Sequence, residues 1–133
     1  MAASKHARLP DSLKTMITLF GIPNCDTVKK ARTWLTDQGF DFAFHDFKRQ
    51  GVPADLLPTW LDAVGWQALV NRKGTTWRRL DDATRDAVVD DATATELMLA
   101  NPSVIKRPVV VWGGGKVTVG FDAGVFAERL ATK

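Results

Sequence analysis

Residues 16–31, MITLFGIPNCDTVKKA, carry the clearest structural pattern in the sequence. Its first five residues are apolar strand formers, and Gly21 and Pro23 are turn signals, so we expect a strand that runs into a loop. From Asp26 to Gly39 the apolar residues recur at helical spacing, which predicts a helix of about twelve residues. The patterned sequence therefore opens with a strand, a cysteine-bearing loop and a helix.

The following segment predicts a second strand and several helices. Residues 40–46, FDFAFHD, place phenylalanine at every second position, which is typical of a strand with one buried face. Two strands joined by one helix predict a parallel pair with a right-handed crossover. A second helix is predicted from Pro53 to a stop at Gly65, residues 69–80 are predicted to be loop with a short turn, and residues 81–101 one or two helices.

The C-terminal segment predicts a hairpin and a final helix. VVVW at 109–112 and KVTVG at 116–120 flank a three-glycine turn, which favours two antiparallel strands. Asp122 is a good N-cap for a helix that runs to Leu130.

Together these patterns predict one domain with an α/β fold. The chain has 133 residues, enough for a single core. Residues 1–15 lack an apolar stretch and predict a flexible N-terminal extension, so the domain spans residues 16–133. We expect a thioredoxin-like three-layer fold, with a mixed four-stranded sheet and a helical insertion at about 53–101.

Composition and charge exclude several classes of protein. The chain is 45% hydrophobic and 25% charged, as in soluble globular proteins, and its longest apolar runs are strand-sized, so we expect no membrane span. The net charge of +3 comes largely from the extension, and the basic residues form short local groups, so no direct nucleic-acid partner is predicted. A lone cysteine without an export signal favours a reducing, cytoplasmic location.

Cys25 is the candidate catalytic residue. It is the only cysteine, so it has no internal disulfide partner, and with two scattered histidines it assembles no metal site. Its place at the start of the first predicted helix favours the thiolate, because unpaired N–H groups and the helix dipole stabilise an anion there. The alternative is an inert buried cysteine that packs as a small apolar residue.

Three segments resemble the arsenate reductase (ArsC)/Spx family, most closely its YffB-like branch with a thioredoxin-like fold. They are GIPNCDTVKKARTWL from residue 21, GTTWRRLD from residue 74 and IKRPVVV from residue 105. The resemblance implies a thiol reductase coupled to glutathione or glutaredoxin, with Cys25 as nucleophile, Arg107 as anion-binding partner and Pro108 as a cis-proline. It implies no bound cofactor, with glutathione as co-substrate, and a small oxyanion or a mixed disulfide as substrate.

The basic residues of the anion site are only partly assigned. Arg107 precedes a predicted strand, where its rigid fork of donors suits arsenate, phosphate or the carboxylates of glutathione. The arsenate-reducing members of the family use three arginines, and the middle region of this chain offers several matches. Arg72 and Lys73 are predicted as further anion-binding residues, and site and surface positions are equally open for them. The other matches are Arg78 and Arg79.

Two other functions are compatible with the sequence. Spx-type relatives are regulators that bind RNA polymerase, so the chain could be a binding module without catalysis. Many of them carry a CxxC switch, whereas Asp26, Thr27 and Val28 follow Cys25 here and exclude an intramolecular disulfide. A thioredoxin-like scaffold without catalysis is the third possibility. For the leading hypothesis, a glutathione-dependent reductase, we expect a monomer.

Overall fold

The computed structural model of the chain describes residues 17–113 and 116–131. The predicted extension at residues 1–15 and the last two residues of the predicted three-glycine turn, Gly114 and Gly115, lie outside the described residues. Within the described ranges, no helix is both long and apolar enough to cross a membrane.

The described strands form one mixed sheet of four. β1 (Ile17–Gly21) pairs in parallel with β2 (Phe42–Asp46) on one side and antiparallel with β3 (Val109–Val111) on the other. β3 pairs antiparallel with β4 (Val117–Val119), so the spatial order is β2-β1-β3-β4. The predicted parallel first pair and antiparallel final pair are both confirmed.

The first and last helices cover one face of this sheet. α1 (Asp26–Asp37) has the predicted twelve residues, and α8 (Ala123–Ala131) begins one residue after the predicted cap. The Asp122 carboxylate accepts a hydrogen bond from the Val125 N–H at 3.1 Å, as an N-cap should. The buried apolar residues of this layer are Ile17, Leu19, Val28, Ala31, Leu35, Val110, Trp112 and Phe126.

The opposite face is covered by the helices between β2 and β3. Phe20 of β1 and Val109 of β3 pack on this side, around Trp60, which is 1% exposed. The sheet therefore lies between two helical layers, which confirms the thioredoxin-like three-layer fold. In chain order the helices are α2 (Phe47–Gln50), α3 (Leu57–Val64), α4 (Trp66–Leu69), α5 (Thr75–Arg79), α6 (Asp82–Asp86) and α7 (Asp91–Ala100), followed by a 3₁₀ turn at Pro102–Val104.

Two details of this helical layer differ from the prediction. The helix expected to start at Pro53 begins at Leu57, because the Pro53 carbonyl accepts the Leu56 N–H at 2.9 Å in a separate turn. Pro58 takes the first-turn position that was predicted for Pro53. Residues 69–80, predicted as loop with a short turn, contain the end of α4 and all of α5. Helices of four or five residues are too short to show a 3.6-residue period.

Leu35→Ala tests the layer that anchors α1. Leu35 is fully buried, so its truncation leaves a cavity and should lower the free energy of unfolding by about 2–5 kcal/mol. Leu99→Ala is the matched control, because Leu99 is 44% exposed on α7 and its loss should cost about 1 kcal/mol or less. Urea unfolding of both variants measures the difference. Equal losses of stability would contradict the packing described for α1.

Candidate active site

The sheet brings two distant segments of the chain to one edge. In the antiparallel pairing of β1 and β3, Phe20 lies opposite Val109. The loop that follows β1 carries Cys25, and the segment that precedes β3 carries Arg107. Because antiparallel partners run in opposite directions, the end of β1 and the start of β3 lie side by side. Both side chains therefore reach the same surface.

Cys25 occupies the N-cap position of α1. Its backbone is extended, with φ −90° and ψ 126°, and its carbonyl accepts the Lys29 N–H at 2.9 Å as the first helical hydrogen bond. The side chain is half-buried and accepts no capping hydrogen bond. The backbone N–H groups of Thr27 and Val28 nevertheless favour negative charge on the sulfur. The structure thus places the thiol where the sequence predicted it.

The Arg107 side chain is held in place by a backbone carbonyl. Its Nη1 donates a hydrogen bond to the Ser103 carbonyl at 3.0 Å, and the peptide bond to Pro108 is cis, as the resemblance implied. Its Nε is buried and has no acceptor within the described part of the chain. A buried donor without a partner is unfavourable by about 1–3 kcal/mol, so a bound anion would remove that cost. The guanidinium therefore has donor capacity left for a ligand.

The pKa of Cys25 is lowered from its ordinary value. Burial is the largest single influence and on its own would raise the pKa. The Val28 N–H, the hydrogen bond and charge of the Arg107 guanidinium, and the Thr27 N–H together outweigh it. The thiolate, which is the nucleophilic form, is therefore more populated at neutral pH than for a free cysteine.

Cys25 and Arg107 line one cavity of about 370 Å³. Its polar lining consists of Cys25, Thr27, Asn71, Lys106, Arg107 and Asp122. A second cavity, of about 330 Å³, lies beside Arg107 and is lined by Ile22, Phe47, Lys48, Pro102 and Ser103 as well. Arg107 thus contributes to both spaces. Within the described residues, no cluster of three or more histidine, cysteine or acidic side chains could hold a metal ion.

The other predicted anion-binding residues do not line the Cys25 cavity. Arg72 is exposed and lies over the ring of Trp66, with 5.7 Å between its guanidinium carbon and the ring centroid. Lys73 is exposed beside it, as are Arg78 and Arg79 on α5. The structure therefore brings Arg107 to the thiol but not these four side chains.

Four polar lining residues were not identified from the sequence, namely Thr27, Asn71, Lys106 and Asp122. Asn71 is half-buried, with its backbone N–H bound to the Val104 carbonyl at 2.7 Å. Lys106 is half-buried and lines the cavity. Asp122 was predicted only as a helix cap. Asn71 and Lys106 each follow one partner of the bridge between Val70 and Ile105. Only knowledge of that bridge would have placed these two residues together, and no local sequence pattern shows it.

Fold and site together define a thioredoxin-like domain with a single acidic thiol at a helix N-terminus and an arginine beside a cis-proline. A model of the ArsC family matches residues 20–128, so the chain belongs to the ArsC family. The resemblance stated from three short segments is thereby confirmed.

Known relatives agree with this assignment. The solved structure of the YFFB protein is 48% identical and superimposes with a TM-score of 0.80, covering 86% of this chain and 98% of the other. An arsenate reductase (ArsC) related protein from Brucella melitensis is also 48% identical, with a TM-score of 0.68 and coverages of 86% and 94%. The global transcriptional regulator Spx of Streptococcus pyogenes is 27% identical over 80% of this chain and 79% of its own.

Alkylation kinetics test the lowered pKa. The rate of Cys25 alkylation against pH should have its midpoint below that of the same chain unfolded in urea, because only the fold supplies the Arg107 charge and the helix N–H groups. Arg107→Met should move the midpoint upward, since it removes the cation and a donor. Arg49→Met, at an exposed arginine of α2, is the control and should leave the midpoint in place. A folded midpoint at or above the unfolded one would contradict the electrostatics described here.

Proposed function

We propose that this ArsC-family protein is a cytoplasmic thiol reductase that uses Cys25 as nucleophile and glutathione as co-substrate. The main support for the proposal is that Cys25, a thiol of lowered pKa, and the Arg107 guanidinium line the same open cavity. A thiolate that exists near neutral pH is the best attacking group for thiol–disulfide exchange. A merely structural cysteine needs neither the cation nor the access to solvent.

For a mixed-disulfide substrate, the reaction needs two exchanges. The Cys25 thiolate attacks the glutathionyl sulfur, a bond forms between these two sulfurs, and the substrate leaves as a thiolate that takes up a proton. A second glutathione thiolate then attacks the glutathionyl sulfur on Cys25, which releases glutathione disulfide and regenerates the Cys25 thiolate. The substrate sulfur is reduced from disulfide to thiol and the sulfur of the incoming glutathione is oxidised from thiol to disulfide. The transferred glutathionyl sulfur stays at the disulfide level throughout, so the electrons balance.

For an arsenate-like oxyanion, the same groups serve a different first step. The Cys25 sulfur forms a bond to arsenic and one arsenate oxygen leaves as water. A glutathione thiolate then attacks the sulfur, the sulfur–arsenic bond breaks with its electron pair on arsenic, and arsenite departs from a Cys25–glutathione disulfide. A further glutathione releases the enzyme. Arg107 supports this substrate class, because its buried Nε faces no acceptor and a guanidinium pairs well with oxyanions.

The single cysteine supports the dependence on glutathione. Cys25 is the only cysteine of the chain, so an oxidised or substrate-bound Cys25 is released only by a thiol from outside. Glutathione or a glutaredoxin is the abundant source of such a thiol in a reducing compartment. Arg107 then stabilises the departing Cys25 thiolate in each turnover.

A second function, binding to RNA polymerase without catalysis, is favoured by one observation. The relative from Streptococcus pyogenes is named as the transcriptional regulator Spx. That function needs no acidic thiol, since a chain with one cysteine closes no disulfide switch. Fast glutathionylation of Cys25 therefore supports the reductase, and sluggish chemistry together with polymerase binding supports the regulator.

Turnover of the Cys25 and Arg107 variants tests the reductase. Cys25→Ser should abolish the reduction of both arsenate and glutathionylated substrates, because the nucleophile is gone. Arg107→Ala should lower glutathione-dependent turnover by about ten- to a hundredfold, since contacts to charged groups contribute about 1.5–3 kcal/mol. The measurement is release of glutathione disulfide with both substrates. If Arg107→Ala matches the parent with both, the anion-site role is wrong.

The same assay settles Arg72 and Lys73. Both lie outside the Cys25 cavity, so Arg72→Met and Lys73→Met should keep KM for the oxidised substrate within about twofold of the parent. A KM raised tenfold in either variant would return that residue to the anion site, where sequence comparison had suggested it.

A further inference from the structure

The cavity around Cys25 is larger than the reacting groups require. Its volume of about 370 Å³ equals that of about twelve water molecules at about 30 Å³ each. A tetrahedral oxyanion on the sulfur would fill only a small part of it. The remaining wall, formed by Lys106, Gly120 and Asp122, therefore has room for a larger ligand that is attached to the sulfur.

Lys106 is held in position at this wall. Its backbone N–H donates to the Leu69 carbonyl at 2.8 Å, and its side chain passes close to Gly120, where an added Cβ would lie 3.1 Å from the lysine Cε. Gly120 has φ +80°, a conformation that favours glycine, so the close approach is built into the backbone. Among the described residues, the Lys106 ammonium has no ion-pair partner. Lys106 thus brings to the lining of the cavity a cation that has no ion-pair partner in the described part of the chain.

Asp122 places a negative charge on the same wall. Its Oδ1 accepts the Val125 N–H, whereas the structure gives Oδ2 no hydrogen-bond partner among the described residues. A cavity built only for an oxyanion would be better without a carboxylate, because like charges repel. A free cation and a free carboxylate oxygen beside one reactive sulfur instead suit a ligand that carries both an anion and a cation.

We infer that Lys106 and Asp122 bind the amino-acid end of the γ-glutamyl group when glutathione is joined to Cys25. The α-carboxylate of that group pairs with Lys106 and its α-ammonium with Asp122. This inference rests on the proposed function. The disulfide forms when the Cys25 thiolate attacks glutathione disulfide, whose sulfur–sulfur bond breaks to release one glutathione thiolate, so no further oxidant is needed.

The competing explanation is that Asp122 serves only as the cap of α8. Asparagine caps helices as well as aspartate does, but it carries no charge. Asp122→Asn therefore keeps the cap and removes only the proposed partner of the ammonium.

The experiment measures the rate at which the reduced, full-length protein forms its mixed disulfide, by intact mass. The two reagents are glutathione disulfide and the same disulfide with both α-amino groups acetylated. The parent should react about fivefold more slowly with the acetylated reagent than with the unmodified one. Asp122→Asn should react with the unmodified reagent about fivefold more slowly than the parent does, and acetylation should not lower its rate further. Lys106→Met should also slow that reaction about fivefold, yet keep the discrimination between the two reagents.

Whether Asp122→Asn slows or speeds the reaction distinguishes a specific contact with the ammonium from long-range electrostatic repulsion. Glutathione disulfide is negatively charged, so loss of a nearby carboxylate should speed its approach if only long-range charge matters. Asp26→Asn provides that comparison, because Asp26 is exposed beside Cys25 but does not line the cavity. If Asp122→Asn reacts faster than the parent, or if the parent reacts equally fast with both reagents, the inference is wrong, while the proposed reductase function still stands. A parent that reacts with neither reagent would overturn the proposed function itself, and the inference with it.

Discussion

The antiparallel pairing of β1 with β3 brings Cys25 and Arg107 to the same edge of the sheet. With Phe20 opposite Val109, the loop after β1 and the segment before β3 have one possible relative position. A shift of one residue would exchange the faces of β3, because the side-chain period of a strand is two. Val109 and Val110, buried on opposite faces, would then each enter the wrong layer. Core packing on both faces thus fixes where Arg107 lies relative to Cys25.

The thiol is tuned by opposed effects rather than by one strong interaction. Burial raises the pKa of Cys25, and the Val28 and Thr27 N–H groups together with Arg107 lower it by more. Full burial would raise the pKa further and close the site to substrates. Full exposure would let solvent screen the interactions of the thiolate with Arg107 and the N–H groups. The half-buried position keeps a stabilised thiolate that another sulfur can still reach.

The sequence predicts the sheet better than it predicts the helical layer. β1, α1 and the final hairpin have long or alternating apolar patterns, and their order and pairing follow from general rules of connection. The short helices α2, α4 and α5 span at most five residues each, so no period identifies them. Cys25 could be identified from the sequence because the feature that activates it is local. A strand, a turn and the start of a helix follow one another in the chain, and a helix N-terminus stabilises a thiolate.

The cavity wall was harder to predict because it is set by distant contacts. Asn71 and Arg72 are neighbours in the chain, yet only Asn71 lines the cavity, since the bridge between Val70 and Ile105 decides which side chain turns inward. The same bridge lies next to Lys106, whose N–H is bound to Leu69. The single bridge between Val70 and Ile105 therefore positions both Asn71, which is neutral, and Lys106, which is cationic, in the cavity wall. The family resemblance suggested Arg72 and Lys73, but a side chain's role at this site depends on the direction in which it points, and that direction is set here by tertiary hydrogen bonds.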